Sequence, residues 1–185
     1  MPSNTSSTTA PKPNRQRRAK LPRLLLDGDV PAPTQRLIQA VGFSVVIARH
    51  IPSIDIQSDV SVVRYARKHR LVVICFDKHR DRKTNQDLYP ELHRRGGKIV
   101  KIGGNPSQHP LTALGKLLFH RDAWMEWFKT NNGRFVCTGQ EARRETAAEL
   151  YLRIQPQLRA PGRHANFGRP KRVKPVPAGQ QVLDA

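Results

Sequence analysis

RLLLDGDVPAPTQRLIQAVGFSVVIA, residues 23–48, reads as strand, helix, strand. An apolar run over 23–27 ends on Asp27, and an Asp-Gly-Asp turn follows. Proline, whose fixed φ suits a first helical turn, then opens a helix over 31–41, and Gly42 sits where a helix C-terminus favours glycine. The next apolar run, 43–48, is short and rich in β-branched residues, which suits a strand. Two apolar strands joined by a helix predict a parallel pair, because a parallel pair needs a crossover of about this length.

Working outward, the same alternation recurs. LVVICF over 71–76 and KIVKI over 98–102 read as further strands covered on both faces, and RFVC over 134–137 as a fifth. Ser58 offers an N-cap for a helix over 59–69. A helix is expected over 84–95, with Pro90 breaking its regularity. One longer helix is expected over 110–130, with Leu111, Leu114, Leu118 and Met125 near helical period and Trp124, Trp127 and Phe128 in the core. A polar, marginal helix is expected over 140–152. The fold class that follows is α/β: a three-layer α/β/α domain with a mostly parallel central sheet of four to five strands. The expected organisation is a disordered basic tail over 1–22, the domain over 23–139, the marginal helix over 140–153 and a second disordered basic tail over 154–185.

Charge narrows the function. The chain has 185 residues, 33 Lys and Arg against 14 Asp and Glu, and a formal net charge of +19, which calls for a polyanionic partner. Nucleic acid fits best. A membrane surface is the weaker alternative, because no lipidation signal accompanies the charge. The segments before residue 23 and after residue 153 are basic and poor in apolar residues, so their expected role is sequence-blind contact with phosphates. With no secretory signal and no long apolar span, a soluble cytoplasmic protein is expected. Cys75 and Cys137 lie inside apolar runs and read as small buried hydrophobes rather than metal ligands. No Walker-type loop, GxSxG or dinucleotide fingerprint occurs, and the remaining histidines lack ligand spacing.

Reactive groups in open parallel sheets collect at the carboxyl ends of strands, where the strand order reverses. Asp27, followed by Gly28 and Asp29, ends the first strand. Asp77 ends the third, ahead of Lys78, His79, Arg80, Asp81, Arg82 and Lys83, and Asp59 opens the helix between them. Clustered carboxylates repel one another and call for a divalent cation, for which Mg2+ or Mn2+ is best suited. The bland readings are that Asp59 favours a helix dipole, that Asp27 and Asp29 form a turn, and that Asp77 pairs with a neighbouring cation.

LLLDGDVP, IPSIDIQSDVSVVRYARKHRLVVICFDKHRDRK and GGKIVKIGGN, taken together and in this order, resemble the PIN-like domains of VapC-type toxins and their uncharacterised bacterial relatives. The resemblance covers about residues 23–139. It rests on the strand ending in LLD with proline four residues on, the SD that opens a helix, and the apolar run ending in DK before a basic patch. It implies a metal-dependent endoribonuclease that cuts RNA, with Asp27, Asp59 and Asp77 as catalytic and metal-holding acids and Lys78, Arg80, Arg82 and Lys83 gripping the phosphate. His79 stands where many relatives have a further acid, and Gly28 where they often have a second acid or polar residue; Asp29, His79 and Asp81 are the secondary candidates for the metal. For a toxin, the partner would be an antitoxin protein. Monomer and homodimer both stay open. The rival expectations are a PIN-like RNA-binding module that has lost cleavage, and a structural protein whose tails contact ribosome or DNA.

Overall fold

The computed structural model of the protein describes residues 21–76, 82–105 and 108–159, with no side chains described for 82–85 and 157–159. Asp77, Lys78, His79, Arg80 and Asp81 lie outside the described residues, as do most of the two basic tails.

The described residues form β1 (Leu24–Leu26), α1 (Ala32–Ala40), β2 (Val45–Ile47), α2 (Asp59–Lys68), β3 (Val72–Cys75), α3 (Arg82–Arg95), β4 (Lys98–Ile102), α4 (Pro110–Phe119), α5 (Arg121–Thr130), β5 (Gly133–Cys137), β6 (Ala142–Thr146) and α6 (Ala147–Arg159). The sheet order is β2-β1-β3-β4-β5-β6. All pairs are parallel except β5 with β6. The expected α/β/α fold is therefore present, with one strand more than sequence periodicity suggests.

Side-chain alternation along the strands creates two cores. Leu24, Leu26, Val72, Ile74, Val100, Ile102, Phe135 and Cys137 point to one face and pack with Ile38, Leu117, Trp124 and Phe128 of α1, α4 and α5. Leu25, Val73 and Ile99 point to the other face and pack with Val62, Val63, Leu88, Leu92, Leu150 and Ile154 of α2, α3 and α6. Each such fully buried side chain contributes about 1.5–3 kcal/mol relative to exposure, which is why the alternation specifies the register. Burial also pushes the Cys137 thiol up to about 12, so it stays protonated and inert at neutral pH.

Three expectations need correction. The helix expected over 110–130 is two helices that meet at His120, whose ring Nε2 lies 3.3 Å from the Gly139 carbonyl. The buried imidazole is thereby tied to the turn after β5, and the chain changes direction there. The helix over 84–95 instead starts at Arg82 and runs through Pro90. Burial of Leu88, Tyr89 and Leu92 offsets the ladder bond that proline removes. Finally, 140–152 is not one marginal helix. Residues 142–146 are edge strand β6, and α6 extends to Arg159, into the segment expected to be tail.

The β6 to α6 junction is well fastened. Thr146 and Glu149 form a capping box: the Thr146 N–H donates to Glu149 Oε2 at 2.7 Å, and the Glu149 N–H donates to Thr146 Oγ1 at 3.3 Å. The rings of His93 in α3 and Tyr151 in α6 stack at 4.6 Å. Glu145, 3% exposed, accepts from Arg134 Nε at 2.7 Å and from Arg153 Nη1 at 2.9 Å, and Arg143 lies 3.4 Å away. Burial alone would raise the Glu145 pKa, but the three arginines outweigh it and hold the carboxyl below its usual range. A depressed folded-state pKa gives stability that is present above the unfolded value and is lost as pH falls through the folded one. Thermal melting between pH 7 and pH 3 is therefore expected to show stability falling only on the acid limb, below about 4.5, and Glu145→Gln should flatten that limb. Parallel pH profiles for the two proteins would remove the assignment.

Candidate functional site

The sheet order reverses between β1 and β3. From β1 the chain steps outward to β2, then crosses back to β3 on the other side of β1. The crevice outside the carboxyl ends of these two strands is the place where open α/β sheets bind ligands. Leu26 is in register with Ile74, and the Asp27 N–H donates to the Ile74 carbonyl at 3.0 Å. The ladder thus continues one residue past β1 and carries Asp27 to the rim of the crevice. By alternation Asp27 shares the face of Leu25, the face that α2 and α3 cover.

The turn after β1 is held from several sides. Asp27 Oδ1 accepts from the Gly28 N–H at 2.7 Å, and the Val30 N–H donates to the Asp27 carbonyl at 3.1 Å. The buried Gln35 amide donates to the Val30 carbonyl at 2.7 Å. Asp29 Oδ2 accepts from the Phe76 N–H at 2.9 Å, which ties the turn to the residue immediately before Asp77. Asp27 is 8% exposed, so its carboxylate stands at the boundary between core and crevice.

Asp59 is the first residue of α2, half-buried, behind Ser58, which caps the helix by accepting from the Ser61 N–H at 3.3 Å. Because α2 follows β2, its N-terminus lies at the carboxyl side of the sheet, the side to which Asp27 belongs. The tertiary structure therefore brings Asp27, Asp29 and the start of α2 to one end of the sheet. Among the described residues, no group of three His, Cys, Asp or Glu side chains is gathered closely enough to hold a metal ion. The third expected acid, Asp77, and the secondary candidates His79 and Asp81 lie outside the described residues. So do Lys78 and Arg80 of the expected phosphate grip. Arg82 and Lys83 begin α3.

Two cationic features escape sequence reasoning. Arg49, in the 3₁₀ turn Ala48–His50 after β2, reaches across so that its Nη2 approaches the Gly28 carbonyl at 3.2 Å and the Val30 carbonyl at 3.3 Å. It braces the acid-bearing turn and sets a positive charge beside it. Arg64 of α2 forms a two-pronged pair with Glu91 of α3: Nε to Oε1 at 2.8 Å and Nη2 to Oε2 at 3.1 Å. That hydrogen-bonded guanidinium is the main cause that holds the Glu91 carboxyl below its usual range. No local pattern signals either contact, since each partner lies on a different element.

Chemically, the described part of this crevice offers carboxylate oxygens, a braced turn and nearby guanidinium groups. Hard oxygen donors of this kind suit magnesium or manganese rather than a soft metal. Compared with protein-family models, curated proteins and solved structures, the chain finds no match in any of the three. Among the described residues no helix is long and apolar enough to cross a membrane.

Proposed function

We propose that the protein is a PIN-like, metal-dependent endoribonuclease whose site lies at the carboxyl ends of β1 and β3. The observation that carries this reading is the placement of Asp27 at the topological switch point, with Asp29 hydrogen-bonded to the residue that precedes Asp77. Asp27, Asp59 and Asp77 would hold the cation, with Asp29, Asp81 or His79 itself supplying the further ligand. A bound Mg2+ or Mn2+ polarises a phosphodiester and lowers the pKa of its water. The chain's own part is to place carboxyl groups at the rim, to brace the turn through Arg49 and Gln35, and to hold the RNA backbone with cations. Lys78, Arg80, Arg82 and Lys83 are the proposed grip, and the basic tails add sequence-blind attraction. A toxin paired with an antitoxin is the biological setting this reading favours.

A second reading, an RNA-binding module without cleavage, is favoured by the hydrogen bonds that Asp27 Oδ1 and Asp29 Oδ2 already accept from backbone. Each bond commits one oxygen to holding the turn. The purified full chain incubated with single-stranded RNA separates the two readings. Manganese-dependent cleavage that EDTA stops supports the nuclease; RNA bound in EDTA and left intact with manganese supports the module.

A further inference from the structure

Between α2 and α3 runs an open cleft of about 410 Å³, bordered by Ser58, Val60 and Arg64 on one side and by Asp87, Glu91 and Arg94 on the other. It begins beside Asp59, at the carboxyl end of the sheet, and descends along both helices. Arg64 lies five residues after Asp59, about 7.5 Å along the helix axis at 1.5 Å per residue. The cleft therefore opens at the same end of the sheet as Asp27 and on the same face, the one that α2 and α3 cover.

Its floor is charged in an unusual way. Glu91 is 3% exposed at its side chain, and Arg64, Arg94 and Arg95 all turn toward it, at 2.8, 4.0 and 3.5 Å. One carboxylate cannot neutralise three guanidinium groups. The guanidinium side chains remain 53–70% exposed, so their unused N–H groups face solvent. Arg67 and Lys68, one turn beyond Arg64, are exposed as well and extend the positive stripe. Asp87, on the opposite wall, is the one opposing exposed acid among the bordering residues. The two-pronged pair with Glu91 fixes the Arg64 guanidinium in one orientation before any ligand arrives, which reduces the entropy lost when a ligand is engaged.

We propose that this α2–α3 cleft is a backbone-binding subsite for a single strand of RNA, in which Arg64 and Arg94 contact phosphates flanking the one held at the β1–β3 crevice. The proposal rests on nucleic acid as the partner, as in the reading above, but not on cleavage. Glu91 is a positioning residue: it touches Arg64, not the strand. An acidic protein segment is the competing occupant; the surplus of guanidinium groups around Glu91, and the opening of the cleft at the end of the sheet where Asp27 stands, favour the nucleic acid.

The test measures anisotropy of a labelled twelve-nucleotide oligouridylate with the full chain in EDTA, across a series of KCl concentrations. The variants are Arg64→Gln/Arg94→Gln and, as an equal loss of charge in the opposite helix layer, Arg36→Gln/Lys129→Gln. The cleft pair should weaken binding roughly tenfold and reduce the log–log salt slope by about 1.4, two phosphates at about 0.7 each on a single strand. The control pair should change the slope by less than half of that. Equal losses in both pairs would mean that overall charge sets the affinity, and would overturn the subsite. Arg94→Gln alone guards against misfolding, since it leaves the Arg64–Glu91 pair intact; it should lower the slope by about 0.7, and an unchanged slope counts against the proposal. Labelled polyglutamate is the last arm: if the cleft pair weakens it as much as the oligonucleotide, the occupant is an acidic protein. Because binding is read without divalent cation, absence of cleavage would sink only the nuclease reading, and an unaffected salt slope only this one.

Discussion

Asp27→Asn is expected to reduce manganese-dependent RNA cleavage to about 1% or less of the parent rate. Charge stabilisation by a bound cation supplies several kcal/mol at the transition state, and each 1.36 kcal/mol is tenfold. Asparagine keeps an acceptor for the Gly28 N–H at nearly unchanged volume while removing the negative charge, so the turn and β1 should survive. An unchanged circular dichroism spectrum and melting temperature would establish that. Asp59→Asn separates the two roles open to that residue. A loss of cleavage marks it as part of the site, whereas a loss of at most about 1 kcal/mol of stability with full cleavage marks it as a helix-dipole residue only. Cleavage unaltered in Asp27→Asn would remove the site proposed at the β1–β3 switch point.

Gly133→Ala is expected to destabilise the fold by about 3 kcal/mol, combining a backbone conformation that alanine disfavours with overpacking against main chain. Gly133 opens β5 with φ +140°, and an ideal Cβ there would collide with the Glu145 carbonyl oxygen and stand 2.9 Å from the Ala147 nitrogen. These are backbone atoms of the β6–α6 junction, so no side-chain rotation relieves the clash. The Gly133 N–H also donates to the Gly97 carbonyl at 2.8 Å, which limits any shift in the other direction. For a chain of this size the loss corresponds to a melting temperature lower by roughly 6–12 °C. A variant that melts with the parent would mean that β6 does not approach β5 as closely as the structure has it. Gly139→Ala, where an added Cβ meets nothing within 4 Å, is the control.

The two substitutions also mark the limit of what local sequence conveys. Asp27 is legible because it ends a run of three leucines, and the position after an apolar strand is where a parallel sheet exposes functional groups. Gly133 is not legible, because the atoms that exclude a Cβ there come from residues 145–147. The resemblance to PIN-like domains draws on the same readable features, the acids at strand ends and at the start of α2, and it stops near residue 139, before β6. The Thr146 and Glu149 capping box was a readable signal of where α6 begins. The polar text of β6, Arg143 and Arg144 above all, masks a strand because only its Glu145 is buried. An edge strand carries little apolar signal of its own, and charge on it is what keeps an exposed edge from pairing with other chains.

The sequence by itself determined the alternation of strands and helices through β5, the two-sided burial of the sheet and the basic surface, because apolar period is a local property that each segment carries alone. Only the tertiary structure decided the rest. The break at His120 depends on a carbonyl nineteen residues away, and β6 exists through its pairing with β5. The arginine cluster on Glu91 requires α2 and α3 side by side, and Arg49 reaches the acid-bearing turn only because β2 lies next to β1. These features arise from burial and hydrogen bonding between distant segments, and pairing of that kind leaves no period in the chain.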